Sequence, residues 1–139
     1  MRDWGKYFMD IADKVSELAD CNRRHVGAVI VRDRRILATG FNGAMAGADH
    51  CDDVGHMMEN DHCIRTVHAE VNAVVQCARQ GISCDGAIMY VNTLPCWNCI
   101  KTVVNAGIRI IRFKDIYKPE IHMDKINYAR GFGVSIEQL

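Results

Sequence analysis

The stretch AIMYVNTLPCWNCIKTVVNAGIRIIRF, residues 87 to 113, decides the fold. AIMYVNT is rich in β-branched and aromatic residues and reads as a strand. Pro95 then interrupts the chain. CWNCIKTVVNAG carries apolar residues at helical spacing and stops at Gly107, and IRIIRF reads as another strand. Strand, helix and strand in this order imply a right-handed crossover between parallel strands.

The pattern extends in both directions. Trp4, Phe8, Ile11, Val15 and Leu18 recur at helical spacing and predict an amphipathic helix over about residues 3–20. VGAVIV (26–31) and ILATGF (36–41) read as two strands of a hairpin around the RDRR turn. A polar segment with Gly, Asp, His and Cys runs from Asn42 to about Arg65, and loops of that length are functional or disordered. HAEVNAVVQCARQG predicts a helix capped by Gly81, with a further helix around 122–131 and a last strand in VSIEQL. Alternating strands and helices from residue 67 onward predict a three-layer α/β/α sandwich around a mixed five-stranded sheet. No repeat or linker divides the chain, so residues 1–139 read as a single domain.

Composition narrows the function. Lys plus Arg and Asp plus Glu balance at 17 each, so the electrostatic footprint of a long nucleic-acid binder is missing. A small anionic ligand needs only one or two placed cations. MRDWGKYFMDIADK has no apolar h-region and no run approaches spanning length, which predicts a cytoplasmic protein away from membranes. Seven cysteines in a reducing compartment read as ligands, nucleophiles or small core residues rather than disulfides.

Two short motifs carry the chemistry. Cys96 and Cys99 open a predicted helix, where backbone N–H groups favour thiolates. His68 opens another, in TVHAEVNAVV (66–75). Should the two helix starts converge, one imidazole and two thiolates would hold Zn²⁺ and leave the fourth position to water. Glu70, two residues past His68, could share that cavity and move protons without binding the metal. Taken separately, the Cys pair also fits a redox couple or half of a structural zinc site. Together they read as His-x-Glu…Pro-Cys-x-x-Cys, the zinc-deaminase signature. A competing reading is a non-catalytic module stapled by metal, which requires a fourth protein ligand.

With VGAVIV, ATGFNGAMAG, CDDVGH, HCIRTVHAEVNAVVQCA and MYVNTLPCWNCIKTVVNAGI in this order, the chain resembles the zinc-dependent cytidine deaminase superfamily, and within it the deoxycytidylate (dCMP) deaminases. The resemblance implies hydrolysis of dCMP to dUMP and ammonia, feeding thymidylate synthesis, with Glu70 protonating cytosine N3. It also implies that Asn42 contacts the sugar 3′-hydroxyl, Ala69 lies near the base and Tyr117 closes over the substrate. Asn42 reads equally as an Asn-Gly turn. CNRRHVG (21–27) supplies cations for a 5′-phosphate, with Arg23 as first choice by resemblance and Arg65 as another candidate. The family further implies a homo-oligomer, commonly a hexamer, activated by dCTP and inhibited by dTTP, often with Mg²⁺. Related substrates within the same fold are deoxycytidine, a cytosine antibiotic or tRNA adenosine.

The remaining Cys and His residues cluster around the long loop. A second, structural zinc on Cys21, Cys51, His56 and Cys63 would offset the ordering cost of that segment, and the same residues read equally as free thiols and surface imidazoles. His62 is adjacent to Cys63, so only one of the two is expected to bind. Cys77 and Cys84 read as core or near-surface thiols.

Overall fold

A computed structural model describes residues 2–22, 24–117 and 123–139. Helix α1 (Trp4–Ser16) begins at Asp3, whose carboxylate accepts the Lys6 N–H at 3.0 Å. It ends four residues before the expected boundary. The Ser16 hydroxyl donates to the Asp13 carbonyl, and the next N–H groups bond three residues back, tightening the chain into turns. Leu18, the last apolar residue of the stripe, is exposed as a result.

Strands β1 (Gly27–Arg32) and β2 (Arg35–Phe41) form the hairpin, with Asp33 and Arg34 both at positive φ in its two-residue turn. After the 42–66 segment come α3 (Ala69–Gln80), β7 (Ile88–Thr93), α4 (Trp97–Asn105), β8 (Ile110–Asp115), α5 (Met123–Arg130) and β9 (Ser135–Gln138). The five-stranded sheet has the order β2-β1-β7-β8-β9. Its β1 pairings are antiparallel, whereas β7–β8 and β8–β9 are parallel, so the sheet is mixed as expected.

Side-chain alternation along β1 feeds two cores. Val29 and Val31 point with Tyr90 toward Phe8, Met9 and Ala12 of α1. Ala28 and Ile30 join Met89, Val91 and Ile111 under α3, α4 and α5 on the other face. The result is three layers. Among the described residues, no helix is long and apolar enough to cross a membrane.

The 42–66 segment is more ordered than its composition suggests. It contains β3 (Gly43–Ala44), α2 (Cys51–Val54), β4 (Met58–Glu59), β5 (His62–Cys63) and β6 (Thr66–Val67). β4 and β5 form a hairpin around Asn60 and Asp61, both at positive φ, and β3 pairs with β6 just ahead of His68. Asp20 ties this ribbon down, accepting the Ala44 N–H at 3.0 Å and contacting His50 Nδ1.

Topology brings several chain segments to one rim of the sheet. Gly27 at the start of β1 faces Phe41 at the end of β2, and Ala28 faces Val91. Thr93 at the end of β7 faces Asp115 at the end of β8. The segments before β1 and after β2, β7 and β8 therefore share one edge, where α/β sheets bind ligands.

Candidate active site

His68 and Cys96 are the N-cap residues of α3 and α4, both in extended backbone and neither making a side-chain capping bond. Each side chain is therefore free to turn toward the rim. Packing at Gly40 sets the position of α3. A Cβ on Gly40 would collide with the Ala69 carbonyl and the Ala73 backbone nitrogen, so only glycine lets the start of α3 lie directly on β2. Asn72 adds a lock, donating to the Phe41 carbonyl at 2.8 Å.

These contacts bring the donors together. His68 Nδ1 lies 3.3 Å from Cys99 Sγ and 3.6 Å from Cys96 Sγ. The ligand atoms of His68, Cys96 and Cys99 all lie within 4.8 Å of one another. Tetrahedral zinc with ordinary Zn–N and Zn–S bonds holds nitrogen and sulfur about 3.6 Å apart. The donor set and its spacing fit that ion, with three protein ligands.

Glu70 sits in the first turn of α3, 4% exposed. Burial raises its carboxyl above the ordinary value, against the opposing pull of its own backbone N–H and His68. A raised carboxyl in such a place suits proton transfer. The Cys96 thiol is brought down to about 3, first by the Cys99 sulfur and then by His68 against the cost of burial, whereas Cys99 is raised by Cys96 and by burial. His68 is raised, chiefly by the Cys96 sulfur; the Glu70 charge adds to this and the Arg24 charge opposes it.

The residues expected to bind substrate separate into different environments. Asn42, 7% exposed, accepts the Val26 N–H at 2.8 Å and donates to the Arg24 carbonyl at 2.7 Å. It retains one donor hydrogen and one acceptor lone pair. Ala69 is buried at the first position of α3. Tyr117, half exposed after β8, carries the Arg24 guanidinium 4.3 Å from its ring centroid. Arg23 lies outside the described residues. Arg65 donates from Nε to the Gly55 carbonyl at 3.0 Å, which ties it to the loop. Sequence reasoning missed Asn92, a buried strand residue that accepts from Gly27 N–H at 3.0 Å and donates to the His25 carbonyl at 3.1 Å. It stands in a strand that is buried continuously from Met89 to Asn92, and its two partners stand 65 and 67 residues away.

A second donor cluster forms under the loop, where ligand atoms of Cys21, Cys51, His56 and Cys63 all lie within 4.8 Å of one another. Cys51 and Cys63 sulfurs are 3.6 Å apart, and Cys21 Sγ is 3.5 Å from His56 Nδ1. His62 is not among them. Burial and the neighbouring sulfurs push Cys51 up to about 12. Burial works the same way on Cys63, but backbone N–H groups of Arg65 and Met57 bring it down to about 6. Cys77 and Cys84 are buried in the main core.

Residues 2–114 match the family described as the cytidine and deoxycytidylate deaminase zinc-binding region. The chain is 41% identical to ComE operon protein 2 of Bacillus subtilis over 98% of its own length and 71% of that protein. It is 37% identical to the deoxycytidylate deaminase of Mycobacterium phage D29, covering 76% of this chain and 90% of the phage enzyme. In structure it is similar to the dCMP deaminase of cyanophage S-TIM5 solved with dCMP and dUMP, with a TM-score of 0.82, 29% identity and coverage of 96% and 95% of the two chains.

Proposed function

We propose a reaction for this chain on one premise: it belongs to the cytidine and deoxycytidylate deaminase family. The reaction is the hydrolysis of dCMP to dUMP and ammonia, within a single catalytic domain spanning residues 1–139. The observation that carries this reading is the approach of His68 Nδ1 to both cysteine sulfurs beside the buried carboxyl of Glu70. The named activity of the phage relatives supports the choice of dCMP.

His68, Cys96 and Cys99 would hold the zinc. Bound there, the ion supplies an acidified water and charge stabilisation for attack on C4. Glu70 takes the proton released by that water and delivers it to N3 of the ring. The same carboxyl then carries the remaining proton from the oxygen now on C4 to the exocyclic amine, so that the C4 carbonyl forms as the C4–N bond breaks and ammonia leaves. Asn42 keeps a donor and an acceptor for the sugar hydroxyl, Ala69 packs by the base and Tyr117 covers the pocket. Arg23 is the phosphate contact implied by family likeness.

Cys21, Cys51, His56 and Cys63 form a second, structural zinc site in this reading, supported by their mutual distances and by a donor set of three sulfurs and one imidazole. Assembly as a homo-hexamer in the cytoplasm, with dCTP and dTTP as effectors and Mg²⁺ alongside them, belongs to the same proposal. Sedimentation with each nucleotide tests it.

Purified protein given dCMP should lose cytosine absorbance and release ammonia in equal amount. Glu70→Gln should abolish turnover while keeping the zinc. Normal turnover by that variant would remove Glu70 from its role, and a cobalt-substituted site lacking exchangeable water would favour the metal-stapled module.

A further inference from the structure

We propose that Asp20 is a positioning residue for the deaminase centre: its carboxylate fixes the β3–β6 ribbon through which the chain enters His68 and Glu70. The inference rests on the deaminase reading above and deepens it.

Asp20 follows the turns that end α1, yet its polar atoms serve the 42–66 segment. Its N–H donates to the Asn42 carbonyl at 3.2 Å, and its Oδ2 accepts the Ala44 N–H at 3.0 Å. One residue, 24 positions ahead of Ala44, thus brackets Asn42, Gly43 and Ala44. Gly43 leaves no room for a side chain inside the bracket: a Cβ there would lie 2.9 Å from the Phe41 ring and 3.4 Å from Oδ2. Asp20 is 7% exposed, so its bond to Ala44 is shielded from competition with water. Its Oδ1 is buried without a hydrogen-bond partner among the described residues. An unmet buried acceptor lowers stability, so the fold alone does not account for an acid at this position.

The bracket reaches the reaction centre through strand pairing. Gly43 pairs with Val67 and Ala44 with Thr66, and the next residue is His68. β3 and β6 have two residues each and form a sheet of their own, so few other bonds hold them. The other flank of His68 is fixed separately, by the seat of α3 at Gly40 and by Asn72 on Phe41. His68 stands between the two flanks in extended backbone, and the direction of its ring depends on both. A donor placed 3.3 and 3.6 Å from two sulfurs tolerates little displacement. Asn42 depends on Asp20 less, because its carboxamide is held by the Val26 N–H and the Arg24 carbonyl. Loss of the carboxylate should therefore act on His68 and Glu70 rather than on the sugar contact. His50 also touches Oδ2, but its side chain is exposed and lies outside the β3–β6 pairing.

The test uses the zinc-loaded full chain well below its melting temperature. Asp20→Ala should lower kcat for dCMP by about 5- to 150-fold, the range expected when a buried hydrogen bond is left unmade, with KM near the wild-type value. Asp20→Asn keeps an oxygen for the Ala44 N–H and should restore most of kcat. His50→Ala leaves that bond intact and should keep kcat. In the cobalt-loaded protein, the d–d bands that move on adding dUMP report the His68 centre; they should shift in Asp20→Ala and return in Asp20→Asn. Ala44→Pro removes the donor of the same bond and should reproduce the loss of kcat, which keeps the proposal testable where Asp20→Ala does not fold. A lower melting temperature with unchanged kcat and unmoved bands would make Asp20 purely structural and overturn the assignment. So would loss of metal from the Cys21 cluster with the dUMP-responsive bands unmoved. A wild type that turns over dCMP beside an equally active Asp20→Ala would refute positioning while leaving deamination intact. A wild type inactive on dCMP would remove the deaminase reading and this inference with it.

Discussion

His68 Nδ1 lies 3.3 Å from Cys99 Sγ across 31 residues of sequence, which makes two separate helix starts a single donor set. Nothing local holds this pair together. It depends on α3 lying against β2 and on the crossover through β7 into α4.

Metal content follows from the two donor clusters. Elemental analysis of the wild type should give two zinc ions per chain. Cys99→Ser should leave one and lose turnover. Cys63→Ser should also leave one, and should open the 42–66 segment to protease before the sheet unfolds. One zinc in the wild type would rule out the cluster under the loop.

Gly40→Ala places a methyl group against the backbone of α3. It should cost about 1–3 kcal/mol and sharply reduce kcat by moving His68 and Glu70. Gly81→Ala at the end of the same helix meets nothing within 4 Å and only strains a left-handed φ of 70°. It should cost about 1–2 kcal/mol and spare kcat. Urea melts and turnover rates separate the two effects, and a fully active Gly40→Ala would contradict the proposed seat of α3.

Asn92→Ala would strand a buried N–H and a buried carbonyl at the entry to β1. Loss of about 1–3 kcal/mol is expected for each group left without a partner. Asn98→Ala, at an exposed position on α4, serves as the control and should be near neutral. Equal stability of the two variants would mean that the carboxamide clamp contributes nothing.

Lys114 bridges β8 to Asp13 of α1 at 2.6 Å, with both side chains partly exposed. Lys114→Met should cost about 0.2–1 kcal/mol. The hydrogen bond to Asp13 raises the lysine above 10.5, so its stabilisation is complete below that value and is lost only as pH rises through the folded-state value. The stability gap should therefore stay constant from about pH 6 to 9 and close only in stronger alkali. A gap that closed within that interval would show that another group is responsible.

Strand and helix periodicity revealed the sheet, because β7, α4 and β8 each bury an apolar face of ordinary length. The candidate donor set was legible because the Cys96-x-x-Cys99 spacing together with the His68-x-Glu70 pair is a rare combination with a strong chemical reason. Asn92 was not, since its partners are brought near by β1–β7 pairing rather than by sequence distance. The 42–66 ribbons were hidden for a related reason: two-residue strands have no periodicity to detect, and Asp20 holds them from outside the segment. Leu18 misled because an apolar residue on a helical stripe need not be buried.

Since every group assigned a chemical part comes from one edge, the far edge is available for engineering. Its hairpin tip at Asp33 can accept a fluorophore, an affinity handle or new termini. A reporter attached there should track the protein without disturbing turnover.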